Sequence, residues 1–121
     1  MKQALTILLL ILFFGCTAEA DLTIERGIRY FEIGQTEKAI LEFKHAIQLM
    51  PSSHDNLSYE NIQLLSQAYH NLSVSYAKKE WYKEASHAAQ TAFDLIPSTE
   101  NMEVLVLIQA KSSKTKAKRT K

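Results

Sequence analysis

The stretch from Tyr69 to Pro97 constrains the fold of this chain more than any other. Tyr69, Leu72 and Tyr76 are spaced three and four residues apart, so a helix would place these large side chains on one stripe. A second stripe follows at helical spacing and contains only small residues, Ala85, Ala89 and Ala92. Pro97 ends the segment. Large side chains facing small ones allow close packing, so this stretch predicts a helical hairpin.

The order of these residues resembles the tetratricopeptide repeat, in which large residues on one helix meet alanines on the next and a proline closes the pair. This sequence has Tyr69 where the family usually has tryptophan, Ser73 for glycine and Ala89 for an aromatic residue. The resemblance implies stacked helical hairpins that bind other proteins.

An earlier copy of the same pattern precedes this stretch. It comprises Gly27, Tyr30, Ala39, Phe43, Ala46 and Pro51. Thr23 and Arg26 occupy the places of the tryptophan and the leucine. We expect a first helix over 22–33, a break at Gly34, and a second helix opened and capped at Thr36.

The interval from Pro51 to Pro97 exceeds the family period of about 34 residues by about a dozen. Apolar residues recur at helical spacing from Leu57 to Lys78 without an intervening glycine or proline. We therefore expect an extended helix over 57–78 and a partner helix over 81–96.

A last apolar segment follows Ser98, which we expect to cap a helix over about 100–110. Periodicity alone would also allow a buried strand, but no other stretch has a sheet pattern to receive one. The predicted fold over residues 21–110 is therefore all-α, a short α-solenoid of two tetratricopeptide-like hairpins plus a closing C-terminal helix.

Residues 1–20 have the pattern of a signal peptide. A lysine precedes an apolar run over residues 4–14, which is too short for an ordinary transmembrane helix. Two cleavage sites compete. Gly15-Cys16 resembles a lipobox, with Cys16 lipidated, although Phe13 and Phe14 fit that motif poorly; alternatively, an A-x-A site ends at Ala20. Both predict export, to the periplasm or to a membrane-anchored form, and we prefer the lipoprotein.

Charge divides the chain into an acidic body and a basic end. Residues 111–121 contain six bases and no acid, whereas residues 21–110 contain twelve acids and seven bases. The basic end lacks large apolar residues, which predicts a disordered tail. It could contact anionic lipid or cell-wall polymer, or act only as a solubilising tail, whereas export argues against nucleic acid.

The residues that usually carry catalysis form no recognisable constellation. The four histidines, His45, His54, His70 and His87, have no metal-ligand spacing, and there is neither a GxSxG motif nor a glycine-rich phosphate loop. Cys16 is the single cysteine, so an internal disulfide is excluded. We predict no enzymatic activity, no cofactor and no metal.

The resemblance implies that partners bind a concave surface lined by the first helix of each hairpin. The candidate ligand-binding residues are Ile24, Ile28, Phe31, His70, Asn71, Val74, Val104 and Ile108. This set is largely apolar and lacks the basic residues of the family's clamp for a C-terminal carboxylate. A hydrophobic helix or extended peptide therefore suits it better. In so short a stack, the same residues could simply pack on one another.

These observations predict a non-enzymatic adaptor of the bacterial cell envelope that binds another envelope protein or peptide in this groove. Within the first hairpin, Phe31 is expected on the groove side and Tyr30 on the packing stripe. The alternative is a structural or assembly subunit, which would form a homo-oligomer or larger envelope complex through the long helix and the last helix.

Overall fold

The computed structural model describes the backbone of residues 2–52 and 57–121 and the side chains of residues 17–52 and 57–121. Within these ranges, five helices follow one another: α1 (Lys2–Glu32), α2 (Thr36–Leu49), α3 (Tyr59–Lys78), α4 (Tyr82–Leu95) and α5 (Thr99–Arg119). Each packs against the next, and the described ranges contain no strand. Short connections make packed neighbours antiparallel. The predicted all-α fold of two hairpins and a closing helix is confirmed.

The main core lies where α1, α2 and α3 meet. Its buried members are Ala20, Ile24, Ala39, Ile40, Phe43, Ala46, Met50, Leu65, Ala68, Leu72 and Ala88. Phe43 is the largest fully buried side chain, and burying such a ring contributes about 1.5–3 kcal/mol. The first hairpin and the first helix of the second hairpin therefore share one apolar core.

Gly27 is the point of close approach between α1 and α2. A Cβ atom added there would lie 2.6 Å from Cε1 of Phe43. Real side-chain carbons do not approach so closely, so glycine lets α1 come up against the aromatic ring. In the second hairpin, the equivalent positions hold Ser73 and Ala89, both buried. Both residues are small in the second hairpin, whereas the first hairpin has a glycine facing a large aromatic ring.

A smaller core holds α5 against the second hairpin. It comprises the buried residues Ala85, Ala89, Leu105 and Ile108, with Tyr76, Ala77, Phe93 and Val104 packed around it. The two alanines leave room for the branched side chains of α5. The alanine stripe predicted for α4 therefore receives the closing helix as well as α3.

The same turn closes both hairpins. The N–H of Gln35 donates to the carbonyl oxygen of Tyr30 at 2.8 Å, and the N–H of Trp81 donates to that of Tyr76 at 3.0 Å. The residue before each donor has a positive φ, which is 79° at Gly34 in the first hairpin and 60° at Glu80 in the second. Glycine adopts this conformation freely, whereas a residue with a side chain loses about 1–2 kcal/mol.

Of three predicted helix starts, the structure confirms one and changes the other two. The Ser58 hydroxyl accepts from the N–H of Asn61 at 3.2 Å and starts α3 at Tyr59, two residues later than expected. The Ser98 hydroxyl accepts from the N–H of Asn101 at 3.2 Å, which confirms the cap of α5. The cap expected at Thr36 is absent, because this residue already lies inside α2 and no side chain caps the helix.

The basic segment over residues 111–121 is helical as far as Arg119, in place of the disordered tail that its composition predicts. Lysine, alanine and arginine are good helix formers, and no glycine or proline interrupts α5. Glu100 lies in the first turn, and Lys116, Lys118 and Arg119 lie in the last turn. This charge order favours the helix because it opposes the macrodipole.

The first helix continues without a break from Lys2 to Glu32. Ala20 is fully buried, and the Thr23 hydroxyl donates to the carbonyl oxygen of Glu19 at 2.8 Å. The side chain of Cys16 lies outside the described residues. Within the described part of the chain, no helix combines the length and apolar character needed to cross a membrane.

Two partly exposed ion pairs also link helices among the described residues. Arg26 and Glu42 join α1 to α2 at 2.8 Å, and the Lys79 ammonium donates to the Glu37 carboxylate across the two hairpins. The hydrogen bond from Lys79 lowers the pKa of Glu37. Water screens the exposed partners Arg26 and Glu37, so these pairs contribute little to stability.

Replacing Gly27 by alanine tests the close approach of α1 to α2. Alanine favours a helix by about 1 kcal/mol over glycine, but its methyl group would overlap the buried Phe43 ring. We expect Gly27→Ala to lower the free energy of unfolding in urea by about 1–3 kcal/mol. In a Phe43→Leu background, the same substitution should be neutral or stabilising. An equal loss in both backgrounds would show that the two positions are not in contact.

Candidate functional site

Alternate helices of the stack build one face of the molecule. Because consecutive helices are antiparallel, α1, α3 and α5 run in the same direction, and α3 contacts both of the others. We refer to the face that they share as the concave groove. It contains a polar cavity and an apolar cavity.

The polar cavity lies between the start of α5 and the middle of α3. Its volume is about 490 Å³, and it is lined by Ile28, Gln63, Ser66, Gln67, His70, Asn71, Ile96, Ser98, Glu100 and Asn101. All but two of these side chains are polar. The cavity therefore suits a ligand that both donates and accepts hydrogen bonds.

The carboxamide of Asn101 fixes the wall of the polar cavity. Its Nδ2 donates to the carbonyl oxygens of Ile96 at 2.8 Å and Ala92 at 3.2 Å, and to the Ser66 hydroxyl at 3.1 Å. The Ser66 hydroxyl donates to the same Ala92 oxygen at 3.0 Å. Asn101 and Ser66 are both buried, so these bonds satisfy polar groups that would otherwise lack partners.

The imidazole of His70 extends this network into the cavity. Its Nδ1 lies 2.9 Å from Oδ1 of Asn101. An amide oxygen only accepts, so Nδ1 must carry the proton. Nε2 faces Glu100, whose exposed carboxylate lies 3.9 Å away. In the neutral ring, Nε2 is consequently an acceptor available to a ligand.

The apolar cavity lies further along the groove, between α3 and α5. Its volume is about 230 Å³, and it is lined by Val74, Ala77, Val104, Leu107, Ile108 and Lys111. Leu107 is 61% exposed, although it is a large aliphatic residue. This cavity can receive an apolar side chain from a ligand.

The structure places six of the eight predicted ligand-binding residues in these two cavities. Ile28, His70 and Asn71 line the polar cavity. Val74, Val104 and Ile108 line the apolar one, where Ile108 is buried and forms part of the floor.

Ile24 does not lie on the groove, contrary to its predicted position. It is fully buried in the core that α1, α2 and α3 share. Helical periodicity placed it on a stripe with Ile28, but the periodicity of one helix does not show where a neighbouring helix covers that stripe. In this stack, the core covers the residue.

Phe31 lies at the edge of the groove beside α3. The Lys78 ammonium is 4.6 Å from the centroid of its ring, a cation–π arrangement. Tyr30 has a similar lysine, Lys38, at 5.4 Å. Both rings are half-buried against the same core, so burial does not separate a packing tyrosine from a groove phenylalanine.

The groove is more polar than the sequence suggested. The polar cavity is also lined by four residues that the family resemblance does not predict as ligand-binding: Gln63, Gln67, Glu100 and Asn101. Gln63, Gln67 and Asn71 recur at four-residue intervals, so they form an amide stripe along α3. This four-residue spacing is visible in the sequence and predicts that the three amides share one side of α3.

The histidines and acids do not gather into a metal site anywhere in the part of the chain that the structure describes. His70 is the one histidine that lines the groove among those described. The predicted site residue Cys16 and the histidine at position 54 lie outside the described side chains.

The repeated turn, the paired helices and the shared concave groove define an α-helical repeat protein. Residues 66–99, which cover most of α3 and all of α4, match the family model for the Tetratricopeptide repeat. Residues 66–99 therefore form a tetratricopeptide repeat. Members of this family are typically non-catalytic modules for protein–protein interaction. Comparisons with the curated proteins and with the solved structures gave no match.

Replacing Asn101 by alanine tests how α5 is held. The change removes four hydrogen bonds and leaves buried carbonyl oxygens with fewer partners. At about 1 kcal/mol net for each bond, we expect the free energy of unfolding to fall by about 2–4 kcal/mol. The matched control is Asn71→Ala, because the Asn71 amide donates only to the Gln67 carbonyl of its own helix. Equal unfolding energies for the two variants would contradict the proposed role of Asn101.

Proposed function

We propose that this protein is a lipid-anchored adaptor of the bacterial cell envelope that holds a segment of another envelope protein in the concave groove. The observation that carries the proposal is the polar cavity beside the apolar one. Asn101 fixes the wall of the first, while Gln67 and Asn71 present side-chain amides at its surface. No catalytic step is required of these groups.

The chemistry of the two cavities matches a peptide. Amide side chains pair with the N–H and C=O groups of a peptide backbone, since each amide both donates and accepts. The Nε2 atom of His70 adds an acceptor. The apolar cavity, lined in part by Val74 and Val104, would take one side chain of the same segment.

The proposed lipid anchor rests on Cys16, and the position of Ala20 supports cleavage before this cysteine. Cleavage after Ala20 would remove a fully buried side chain and the Glu19 carbonyl oxygen that accepts from Thr23. Cleavage before Cys16 keeps both. The anchor would then lie about 6 Å along the helix axis from Ala20, at 1.5 Å per residue.

Such an anchor would orient the whole stack. The N-terminal ends of α1, α3 and α5 would face the membrane because these helices run in the same direction. The basic end of α5, including Lys118 and Arg119, would then point away from the membrane. This orientation favours a protein partner over anionic lipid as the ligand of the basic end.

A second candidate function is assembly, in which copies of the chain or other envelope subunits join through the terminal helix. The observation that favours it is the exposed apolar surface of α5, where Met102 is 43% and Val106 53% exposed. These two residues are four apart and share one side of the helix. A stable oligomer in native mass measurements would favour this candidate over the adaptor.

Site-specific cross-linking tests the groove. We expect the photoreactive amino acid p-benzoylphenylalanine at Gln67 to capture a defined envelope protein in cells, because Gln67 lines the polar cavity. The control position is Lys44, which is exposed on α2, a helix that does not line the groove. Phe31→Ala should weaken capture at Gln67, since removing an interface aromatic can cost about 2 kcal/mol or more. Equal capture from both positions would contradict binding in the groove.

Labelling with palmitate tests the anchor. We expect Cys16→Ser to abolish incorporation of the lipid and to block processing of the precursor. The control is Ala18→Leu, which spoils the A-x-A site at an exposed position of α1 and should leave lipidation unchanged. An unlabelled soluble protein that begins at Asp21 would show that the A-x-A site is the one used.

A further inference from the structure

One flank of α5 changes from apolar to basic along its length. Val104, Leu107, Lys111, Lys114 and Lys118 are spaced three and four residues apart, so they form one stripe of the helix. The first three of them line the apolar cavity. The remaining two continue the stripe towards the C-terminal end of α5 and are exposed.

The opposite wall of the groove has the same order. Val74 lines the apolar cavity, and Lys78 lies one helical turn further along α3. The Lys78 side chain is exposed, with its ammonium 4.6 Å from the ring centroid of Phe31. Because α3 and α5 run in the same direction, the lysines of both walls lie beyond the apolar cavity at the same end of the groove.

These lysines have no acidic partner within the described residues. The bases that contact a carboxylate there are Arg26, His70 and Lys79, and Lys78, Lys111 and Lys114 are not among them. The positive charge at this end is therefore available to a ligand. An apolar cavity bordered by free ammonium groups is complementary to an apolar side chain followed by carboxylates.

We propose that the segment bound in this groove is acidic and amphipathic, with an apolar side chain in the apolar cavity and carboxylates on Lys78, Lys111 and Lys114. This inference rests on the proposed function and specifies the chemistry of the partner. It differs from recognition of a chain terminus, because it requires side-chain carboxylates beside an apolar anchor and no free C-terminal carboxylate.

A pair of designed peptides provides the test on the full-length protein in detergent. Both carry the same leucine stripe and blocked termini; one has glutamates and the other lysines at the remaining positions. We expect the acidic peptide to bind at least about fivefold more tightly by fluorescence anisotropy, a ratio that shrinks as salt is raised. Equal affinity, or tighter binding of the basic peptide, would overturn the inference.

Charge reversals locate the binding. Lys78→Glu and Lys111→Glu should each lower the affinity for the acidic peptide by about fivefold or more. The matched control is Lys116→Glu, which makes the same change of charge on α5 but lies outside the apolar cavity and beside Trp81 and Arg119. A similar loss in this control would show non-specific attraction and would also overturn the inference.

A third, neutral peptide separates this inference from the function on which it rests. Leu107→Ala removes an exposed apolar side chain of the cavity, so it should lower the affinity for every peptide that binds there. If the neutral peptide binds as well as the acidic one and both lose affinity in Leu107→Ala, the groove binds peptides and the acidic specificity is wrong. If no peptide responds to Leu107→Ala, the groove proposal itself fails.

Discussion

The carboxamide of Asn101 joins three segments of the chain. It donates to the carbonyl oxygens of Ala92, in the last turn of α4, and of Ile96, just after α4. It also donates to the hydroxyl of Ser66 in α3 and accepts from His70. Hydrogen bonds are directional, so this network sets the angle of α5 more narrowly than apolar contacts alone. Both cavities of the concave groove have α5 as one wall, and their shape therefore depends on this docking.

Small residues determine how closely the other helices approach. Gly27 lets α1 reach the ring of Phe43, and Ala85 and Ala89 leave room for Leu105 on α5. Each close approach brings alternate helices near enough to share one face. The groove thus follows from where the sequence places its small side chains, although few of those side chains touch it.

The hairpins could be predicted from sequence because large and small stripes, turn residues and prolines are local signals. The buried, hydrogen-bonded position of Asn101 could not be predicted, since a single amide at the start of an apolar helix has the same local pattern whether it is buried or exposed. The burial of Ile24 does not follow from periodicity, which gives the face of a helix but not the neighbouring helix that covers it. Composition does not predict the helix over residues 111–119, because a segment without large apolar residues can still be helical where its helix propensity is good.

Amide hydrogen exchange along α5 tests most directly whether this helix is a docked part of the repeat domain. Amides exchange slowly where opening requires the cooperative unit to unfold. We expect residues 104–109 of α5 to be protected to the same degree as the centres of α3 and α4, while the amides beyond Lys114 exchange faster. Rapid exchange throughout α5, with α3 and α4 still protected, would mean that α5 is not docked and that the groove lacks its third wall.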